Sequence, residues 1–594
     1  MKKSILLSLI LVSCSKQSYE ARIPQIELNN DDHIVIIGGG VADRMQHHGW
    51  LETYLQLSTA DKNLVIRNHG FSGDRINHRP RNSGFIPPEE YLKISKADVI
   101  IAMFGYNESF DSDPSGYEKQ LIDWVTETRK QKYNGISSPR IVLLSPLAHE
   151  NLNNPNLPDG QNNNMRLAAY TAATHAAAEK TNCGYVDLFS ISQHLYSSPD
   201  TDYITQNGIH PTVEGSHALA IQLVWSLLGV RPETSNSHIA ATREAVLEKS
   251  WHWFNRYRAT DGNDVWGSRS TLSFVDGQTN ADVLMHELTQ LDVTTANRDK
   301  VIWAAANGKN IKADDSNMPA DVPVVSNFET PQTQGGVSKL GSTNYISGEE
   351  GIQKMTIKGK LQANLFASEE MFPELVNPVQ LGVDPQGRLW AATWPTYPKW
   401  QPSKTMDDRL VILPDNNRDG VADECITFAY VHNPTGFEFW NGGVVVASAP
   451  DILFFKDNDG DNVADEKVVL LSGIDSADTH HAANNFVIGP DGFLYYQRGV
   501  FLVSNVESPW QSNQEDRASG MYRFNPRTYE YSFHAHNSPN PHGISFDKWG
   551  YHYATDATGG SAYQVRPTGD GNFKMQKLLD HSVRPVPSST ILSS

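Results

Sequence analysis

The sequence predicts two folded parts, an α/β domain with a parallel sheet followed by an all-β domain. The chain has 594 residues, and single hydrophobic cores stop growing at about 250–300 residues, so at least two cores are expected. Up to residue 230, short apolar runs alternate with segments of helical period, which is typical of parallel sheets covered by helices. After residue 345 the pattern changes to short strands, and a motif recurs along the chain.

The first 14 residues predict a lipoprotein signal peptide. Lys2 and Lys3 precede the apolar run Ile5–Val12, which is far shorter than the roughly 20 residues that cross a bilayer. The run leads into Leu-Val-Ser-Cys, which resembles a bacterial lipobox whose cysteine, here Cys14, carries the lipid. The alternative is an ordinary signal cleavage nearby, with Cys14 incidental. We expect a secreted protein of the cell envelope, an outer-membrane lipoprotein that meets the membrane through this N-terminal anchor.

The composition argues against several classes of function. The chain carries 68 acidic and 49 basic side chains and a net charge of −19, a balance that repels phosphates, so no nucleic-acid partner is expected. Only Cys183 and Cys425 remain after Cys14, so the sequence contains no disulfide framework and no haem-attachment motif. No motif indicates ATP or a nicotinamide cofactor.

Residues 28–230 are predicted to form the α/β domain. Five β-rich segments alternate with stretches of helical period. The predicted strands are 33–37, 63–66, 97–104, 140–145 and 184–188. In such sheets ligands bind at the carboxyl ends of the strands, so the residues that follow the strands are candidate site residues.

Four short motifs follow these strands or precede the last helix. They are Gly38-Gly39-Gly40, Phe71-Ser72-Gly73-Asp74, Gly105-Tyr106-Asn107-Glu108 and Asn207-Gly208-Ile209-His210-Pro211. In this order they resemble the SGNH (GDSL) hydrolases, which implies a flavodoxin-like three-layer fold and ester hydrolysis. The resemblance implies the Gly73 N–H and the Asn107 amide as donors to an ester oxyanion, and His210 as the general base.

Two departures from that family bear on catalysis. Where the family has its nucleophilic serine this chain has Gly40, and where the family has Asp three residues before the histidine this chain has Asn207. A neutral amide cannot stabilise an imidazolium, and the corresponding change in a serine protease costs roughly 10⁴-fold in rate. Two interpretations remain. Either the domain is a binding module, or another group attacks the ester, namely Ser72 in the adjacent loop or a water activated by His210.

The middle of the chain predicts a helical extension and a linker. Residues 231–312 carry helical patterns at 239–258, with an aromatic cluster, and at 281–291, and we expect these helices to pack on the α/β domain. Residues 313–345 are rich in Pro, Asp, Ser, Thr and Gly and predict a linker.

Residues 346–594 predict a β-propeller. Repeats begin at residues 377, 433, 482 and 540, a spacing typical of propeller blades. The Asn-Pro-x-Gly motifs at Asn433 and Asn540, with Asp478-Thr479-His480-His481, resemble the propellers of planctomycete and verrucomicrobial membrane-bound dehydrogenases. Those propellers are similar to soluble glucose and sorbosone dehydrogenases and have more blades. This chain holds about four to five repeats, so the sequence predicts a partial propeller.

Two acidic loops in this half have the spacing of Ca²⁺ sites. One contains Asp415, Asn417, Asp419 and Asp423, and the other contains Asp457, Asp459, Asp461 and Asp465. Oxygen ligands at alternate positions suit Ca²⁺, although neither loop ends in the glutamate of an EF-hand. Acidic hairpin turns without an ion are the equal alternative, so no cofactor is certain.

His480, His481 and His542, with Asp478, are candidates for a cofactor surface on the propeller. In the glucose dehydrogenases such a surface holds pyrroloquinoline quinone, whose carboxylates need basic partners, and Arg498 and Arg517 are the nearby candidates. A structural or metal-binding role for the histidines is the alternative. The sequence therefore predicts an envelope protein with an SGNH-type domain that binds or de-esterifies an extracellular carbohydrate. A quinone-dependent sugar dehydrogenase is the alternative function.

Overall fold

The structure is a computed structural model that describes residues 22–198, 202–273, 276–324, 346–537 and 540–579. The predicted signal peptide, with Cys14, and most of the predicted linker lie outside these ranges. Within them, no helix is both long and apolar enough to span a membrane.

A five-stranded parallel sheet forms the centre of the first domain. Its strand order is β2-β1-β3-β4-β5, and every neighbouring pair is parallel. The strands are β1 (His33–Gly38), β2 (Val65–Asn68), β3 (Val99–Met103), β4 (Arg140–Leu144) and β5 (Gly184–Val186). The helices are α1 (Gly40–His48), α2 (Trp50–Ser58), α3 (Pro88–Ile94), α4 (Pro114–Thr128), α5 (Gln161–Thr181), α6 (Leu188–Tyr196) and α7 (Val213–Leu228). This is the three-layer α/β fold that the sequence predicts.

Helices cover both faces of this sheet. Its strands therefore consist mostly of consecutive apolar residues and do not alternate between apolar and polar ones. Ile34 and Ile36 face a core that includes side chains of α1, α2 and α7. Val35 and Ile37 face a second core with side chains of α4 and α5. The polar loops therefore converge at the carboxyl edge of the sheet, where ligands bind in folds of this kind.

Three further helices pack beside β2, at one edge of the sheet. They are α8 (Ile239–Arg258), α9 (Gly262–Val265) and α10 (Asn280–Ala306). Lys249 on α8 is buried and donates to Glu52 at 2.6 Å and to the Ile66 carbonyl at 3.0 Å. Trp253, from the predicted aromatic cluster, donates through Nε1 to the Asn68 carbonyl at 2.8 Å. These contacts hold the helical extension against the α/β domain.

The second part of the chain is all-β after the short helix α11 (Gly348–Gln353). In the described ranges its strands form four antiparallel four-stranded sheets and one extra two-stranded hairpin. The strands are β6 (Pro378–Val383), β7 (Leu389–Thr393), β8 (Arg409–Leu413), β9 (Ile426–Tyr430), β10 (Pro434–Trp440), β11 (Gly443–Ser448), β12 (Asp451–Lys456), β13 (Glu466–Ser472), β14 (Asn484–Ile488), β15 (Leu494–Arg498), β16 (Ser504–Val506), β17 (Gln514–Asp516), β18 (Gly520–Phe524), β19 (Tyr531–His536), β20 (Pro541–Phe546), β21 (His552–Asp556), β22 (Ser561–Pro567) and β23 (Phe573–Leu579).

The four sheets have a propeller-like arrangement of four blades. The first strands of successive sheets, β6, β10, β14 and β20, are neighbours in that order. Each blade begins near one of the repeats seen in the sequence. The hairpin β16–β17 is inserted into the third blade, between β15 and β18. Residues of this insertion contact the α/β domain.

The propeller docks on the carboxyl edge of the α/β sheet. Arg44 on α1 and Gln206 each donate to the Val469 carbonyl at 2.8 Å. Ser472 donates to the fully buried carboxylate of Asp43 at 2.9 Å, and Asp43 also pairs with Arg258 on α8. The α/β domain, the helical extension and the propeller therefore meet at one buried carboxylate.

Candidate functional site

Residues predicted from the sequence meet at the carboxyl edge of the sheet. Gly40 is the first residue of α1, shortly after β1, and Gly73 lies in the loop after β2. Asn107 follows β3 and His210 precedes α7, and both side chains are buried. The parallel sheet brings these residues together because the carboxyl ends of its strands share one edge.

A carboxylate from the propeller occupies the centre of this cluster. Glu507, which follows β16, places its Oε1 atom 2.8 Å from Gly40 N, 3.1 Å from Gly73 N and 2.7 Å from Asn107 Nδ2. Its Oε2 atom lies 3.2 Å from His210 Nε2. Three N–H donors that converge on one oxygen are the arrangement that stabilises an oxyanion. In this protein the oxygen belongs to its own glutamate.

Backbone groups determine how the two amides of the site are oriented. The Oδ1 atom of Asn107 accepts the Asn513 N–H at 3.1 Å, so its Nδ2 faces Glu507. The Oδ1 atom of Asn207 accepts the His210 N–H at 3.0 Å, so its Nδ2 faces the imidazole, 3.0 Å from Nδ1. Because an amide nitrogen only donates, Nδ1 of a neutral His210 is the acceptor. The ring proton is then on Nε2, which donates it to Glu507.

The electrostatics of this pair agree with a neutral histidine and a charged glutamate. Burial, followed by the nearby Arg44 guanidinium, lowers the pKa of His210 to about 4. Burial alone would raise the pKa of Glu507, but the hydrogen bonds from His210, the Gly40 N–H and Asn107 outweigh it and bring that pKa below its usual value. At neutral pH Glu507 is therefore a carboxylate held by neutral donors.

The propeller segment around Glu507 closes the site. We call residues 504–516, which comprise β16, β17 and the loop between them, the Glu507 hairpin. The Tyr106 hydroxyl donates to the Ser508 carbonyl of this hairpin at 2.8 Å. The cavity that remains beside Glu507 is about 30 Å³, against roughly 300–1,000 Å³ for small-molecule sites. A substrate cannot reach the donors while the hairpin is docked.

Two glycines allow this close approach. A Cβ atom on Gly40 would overlap the Glu507 carboxylate and lie 2.8 Å from His210 Nε2. Gly73 has a φ of +76°, which side chains disfavour, and a Cβ atom there would overlap Asn505 of the Glu507 hairpin. Hydrogen is therefore the only side chain that fits at either position in the docked state.

Ser72, the predicted alternative nucleophile, lies beside the cluster. It is 1 % exposed and lies against Gly473 of the propeller. Ser72 is not one of the described residues that line the remaining cavity. The closed structure therefore does not present its hydroxyl to the oxyanion donors.

The two arginines considered for a quinone are engaged elsewhere. Arg498 is fully buried and donates to the Tyr522 hydroxyl at 2.7 Å and to the Ala518 carbonyl at 3.0 Å. Arg517 forms an ion pair with Glu515 at 3.0 Å. Arg498 is therefore engaged inside the fold, whereas the Arg517 side chain is 53% exposed, and a quinone on the propeller stays a prediction.

The predicted histidines of the propeller are in different environments. His481 has Nδ1 2.8 Å from Asp478 Oδ1 and Nε2 3.1 Å from Asn540 Oδ1, so both ring nitrogens have partners. His542 is partly buried in β20. His480 is exposed. The structure thus brings His480 and His481 to Asp478.

The two acidic loops form turns through their own backbone. In the first, the Asp423 carboxylate accepts the Asn416 N–H at 2.6 Å. In the second, Asp465 accepts the Asn458 N–H at 2.7 Å. Within the described part of the chain, only the second loop places three acidic oxygens, those of Asp457, Asp459 and Asp465, within 4.8 Å of one another. Acidic turns account for these hydrogen bonds, and Ca²⁺ in the loops stays a prediction.

Two groups of the site are missing from the sequence prediction. The first is the Gly40 N–H. A residue in the first turn of a helix has a free N–H, so the position of Gly40 directly after a strand was a usable signal. The second is Glu507, which lies 467 positions from Gly40. No local pattern marks this glutamate.

A family model matches each half of the chain. Residues 16–218 match the model of the GDSL-like lipase/acylhydrolase family, and residues 347–586 match a domain of unknown function, DUF7133. No curated protein matches the chain. The first part of the protein therefore has the GDSL-hydrolase fold, and an all-β, propeller-like domain follows it.

Solved structures similar to this chain cover its first part. A GDSL-like lipase from Parabacteroides merdae is 18% identical, and the match covers 34% of this chain and 99% of that one with a TM-score of 0.29. A catalytic mutant of Axe2, an acetylxylan esterase from Geobacillus stearothermophilus, is 17% identical, with 35% and 100% covered and a TM-score of 0.27. LAE5, an alpha/beta hydrolase from the metagenome of Lake Arreo, Spain, is 19% identical, with 34% and 96% covered and a TM-score of 0.27.

Proposed function

We propose that this chain is a cell-envelope binding protein in which the GDSL-type domain holds a carboxylate or ester carbonyl and does not hydrolyse it. The observation that carries the proposal is the Glu507 carboxylate, which fills the donor cluster of Gly40, Gly73 and Asn107 at 2.7–3.1 Å. An outside ligand competes with Glu507 for these donors. The ligand class, an ester-bearing extracellular carbohydrate, rests on the resemblance of the two halves to ester hydrolases and sugar dehydrogenases.

Two features of the site support a domain that does not hydrolyse esters. By the resemblance to the family, Gly40 occupies the position of the serine, and a Cβ at this position would lie 2.8 Å from His210 Nε2, within reach of the expected base. A glycine has no atom that can form an acyl-enzyme. The base is also in the unsuitable form, because Asn207 donates to Nδ1 and leaves the proton on Nε2. An imidazole in this tautomer cannot accept a proton from an attacking group at Nε2.

Hydrolysis by the chain without its predicted signal peptide tests this proposal. We expect no turnover of 4-nitrophenyl acetate or acetylated xylan above that of the His210→Ala variant. Restoration of the missing groups in Gly40→Ser/Asn207→Asp/Glu507→Ala should produce measurable turnover, since the oxyanion donors are already present. Turnover by the wild-type chain that disappears in His210→Ala would show that the domain is an esterase and would overturn the proposal.

Binding provides a second, independent measurement. Calorimetry with acetate and with acetylated xylo-oligosaccharides should show binding to the wild-type chain, where the ligand must displace Glu507, and tighter binding to Glu507→Ala. Asn107→Ala in the same background removes one of the three donors and should weaken binding. Equal binding by the wild-type and Glu507→Ala chains would mean that the ligand uses another surface.

The envelope location is a separate part of the proposal and rests on Cys14. Expression in a bacterium supplied with labelled palmitate should label the full-length chain and not the Cys14→Ser variant. Release of the unlabelled wild-type chain into the medium would instead support an ordinary signal peptide.

A further inference from the structure

A cluster of two aspartates and one histidine lies where the helical extension meets the propeller. Asp261 belongs to the loop between α8 and α9, and Asp478 and His480 precede β14. One ligand atom from each of the three residues lies within 4.8 Å of the other two. Both aspartates are buried, at 3 % and 0 % exposure, whereas His480 is exposed and leaves a route from solvent.

One carboxylate oxygen in this cluster has no hydrogen-bond partner. Asp478 Oδ1 accepts from His481 Nδ1 at 2.8 Å and from its backbone N–H at 3.1 Å. Asp478 Oδ2 is fully buried and accepts no hydrogen bond in the described structure, and the nearest cation, Arg269 Nε, is 4.0 Å away. A buried anionic oxygen left in this way is costly unless a charge compensates it.

The charges around the cluster do not balance. Arg269 is 3.1 Å from Asp264 and 4.0 Å from Asp478, so its single positive charge is shared between two carboxylates. Lys399 pairs with Glu287, and Asp261 forms no ion pair within the described residues.

We propose that Asp261, Asp478 and His480 bind one divalent transition-metal ion that joins the helical extension to the propeller. Two carboxylate oxygens and an imidazole nitrogen suit Zn²⁺ or Mn²⁺ better than Ca²⁺, which takes oxygen ligands. The ion compensates both buried carboxylates. The site is independent of the proposed function, because none of its residues belongs to the oxyanion donor cluster.

The backbone is already arranged to keep the two halves of this site together. The Asp261 N–H donates to the Ser476 carbonyl at 3.0 Å, and the Asn263 N–H donates to the Ala477 carbonyl at 2.9 Å. Thr479 donates to Asp261 Oδ1 through its N–H and hydroxyl, at 2.6 and 2.7 Å. Each half of the interface therefore contributes ligands from a preformed position, which lowers the ordering cost of binding.

Metal content and thermal stability of the chain without its signal peptide test this site. After treatment with EDTA and dialysis against ZnCl₂ or MnCl₂, we expect one ion per chain by mass spectrometry and a higher Tm than without metal. His480→Ala removes an exposed ligand and Asp261→Asn keeps the Thr479 hydrogen bonds, so both variants should fold. Each should weaken metal binding by more than the roughly 10- to 100-fold loss that follows removal of a residue that only orients a ligand.

Two matched controls separate this site from others. His194→Ala removes an exposed histidine elsewhere and should leave metal binding unchanged. Asp459→Asn alters the acidic loop and should also leave the Zn²⁺ or Mn²⁺ content at one. The proposal is overturned if the wild-type chain takes up no Zn²⁺ or Mn²⁺ on dialysis against the metal salt. It is also overturned if His480→Ala and Asp261→Asn bind the metal as tightly as the wild type.

Discussion

Replacement of Glu507 by alanine should destabilise the protein strongly, because the carboxylate is the link between the propeller and the α/β domain. Its Oε1 accepts three hydrogen bonds of 2.7–3.1 Å, and Oε2 accepts a fourth at 3.2 Å. Each bond to a charged acceptor is worth about 1.5–3 kcal/mol, but such values are not additive when one group makes them all. Glu507→Ala leaves four buried N–H donors without an acceptor, each of which costs about 1–3 kcal/mol, and because these costs are not additive we expect a total loss of about 3–5 kcal/mol.

Glu507→Gln is the matched variant. It keeps the shape and one oxygen acceptor, so the donors of Gly40, Gly73 and Asn107 stay satisfied. It loses the charge and turns an NH₂ group toward His210 Nε2, which already carries the proton. The two N–H donors that face each other both lack an acceptor. We expect an intermediate loss of about 1–3 kcal/mol, which is the cost of an unsatisfied buried donor.

Urea unfolding at pH 7 measures these losses, with tryptophan fluorescence and far-UV circular dichroism as the signals. A loss of stability lowers the urea concentration at the midpoint and leaves the dependence of the free energy of unfolding on urea unchanged. Sodium acetate provides a rescue, because its carboxylate fits the vacated donors. Acetate should raise the stability of Glu507→Ala by more than that of the wild type, while sodium chloride at the same ionic strength should raise neither. A loss below about 1 kcal/mol for Glu507→Ala would refute the reasoning, since it falls within the range of ordinary surface substitutions.

Three further predictions concern the same interface. Asp43→Ala should cost about 3–5 kcal/mol in urea unfolding, because it leaves the buried Arg258 without its partner; a loss similar to that of a surface aspartate would contradict this. Gly73→Ala should cost about 1–3 kcal/mol and expose the Glu507 hairpin to proteolysis, because a side chain disfavours the local φ of +76° and overlaps Asn505; unchanged protease resistance would count against it. His210 has a folded pKa of about 4 against about 6.5 unfolded, so the free energy of unfolding should fall by on the order of 3 kcal/mol as the pH drops from 6.5 to 4. The lowered pKa of Glu507 acts in the same direction, and His210→Gln should flatten the slope; parallel pH profiles for the two chains would refute the assignment.

Much of the architecture could be predicted from local sequence patterns. Apolar runs with flanking glycines and polar residues indicated the five parallel strands, and the repeats starting near residues 377, 433, 482 and 540 coincide with the four blades. These features depend on periodicity along one segment, which the side chains of that segment encode. The motif residues Gly73, Asn107 and His210 were identified from the resemblance to the SGNH hydrolases, which rests on the order of the motifs along the predicted strands and helices.

The state of the site was decided by the tertiary structure. The sequence shows that Gly40 has no side chain and that Asn207 is neutral, and these two facts left a binding module and an esterase with another attacking group as two hypotheses. It could not show that Glu507 fills the donor cluster, or that Asn207 places the His210 proton on Nε2. The first depends on a propeller residue that lies 400 positions from Asn107 and 467 from Gly40 in the chain. The second depends on the orientation of the Asn207 amide, which accepts the His210 N–H. Side-chain periodicity reports local burial, whereas such long-range pairings follow only from how two complete surfaces fit together.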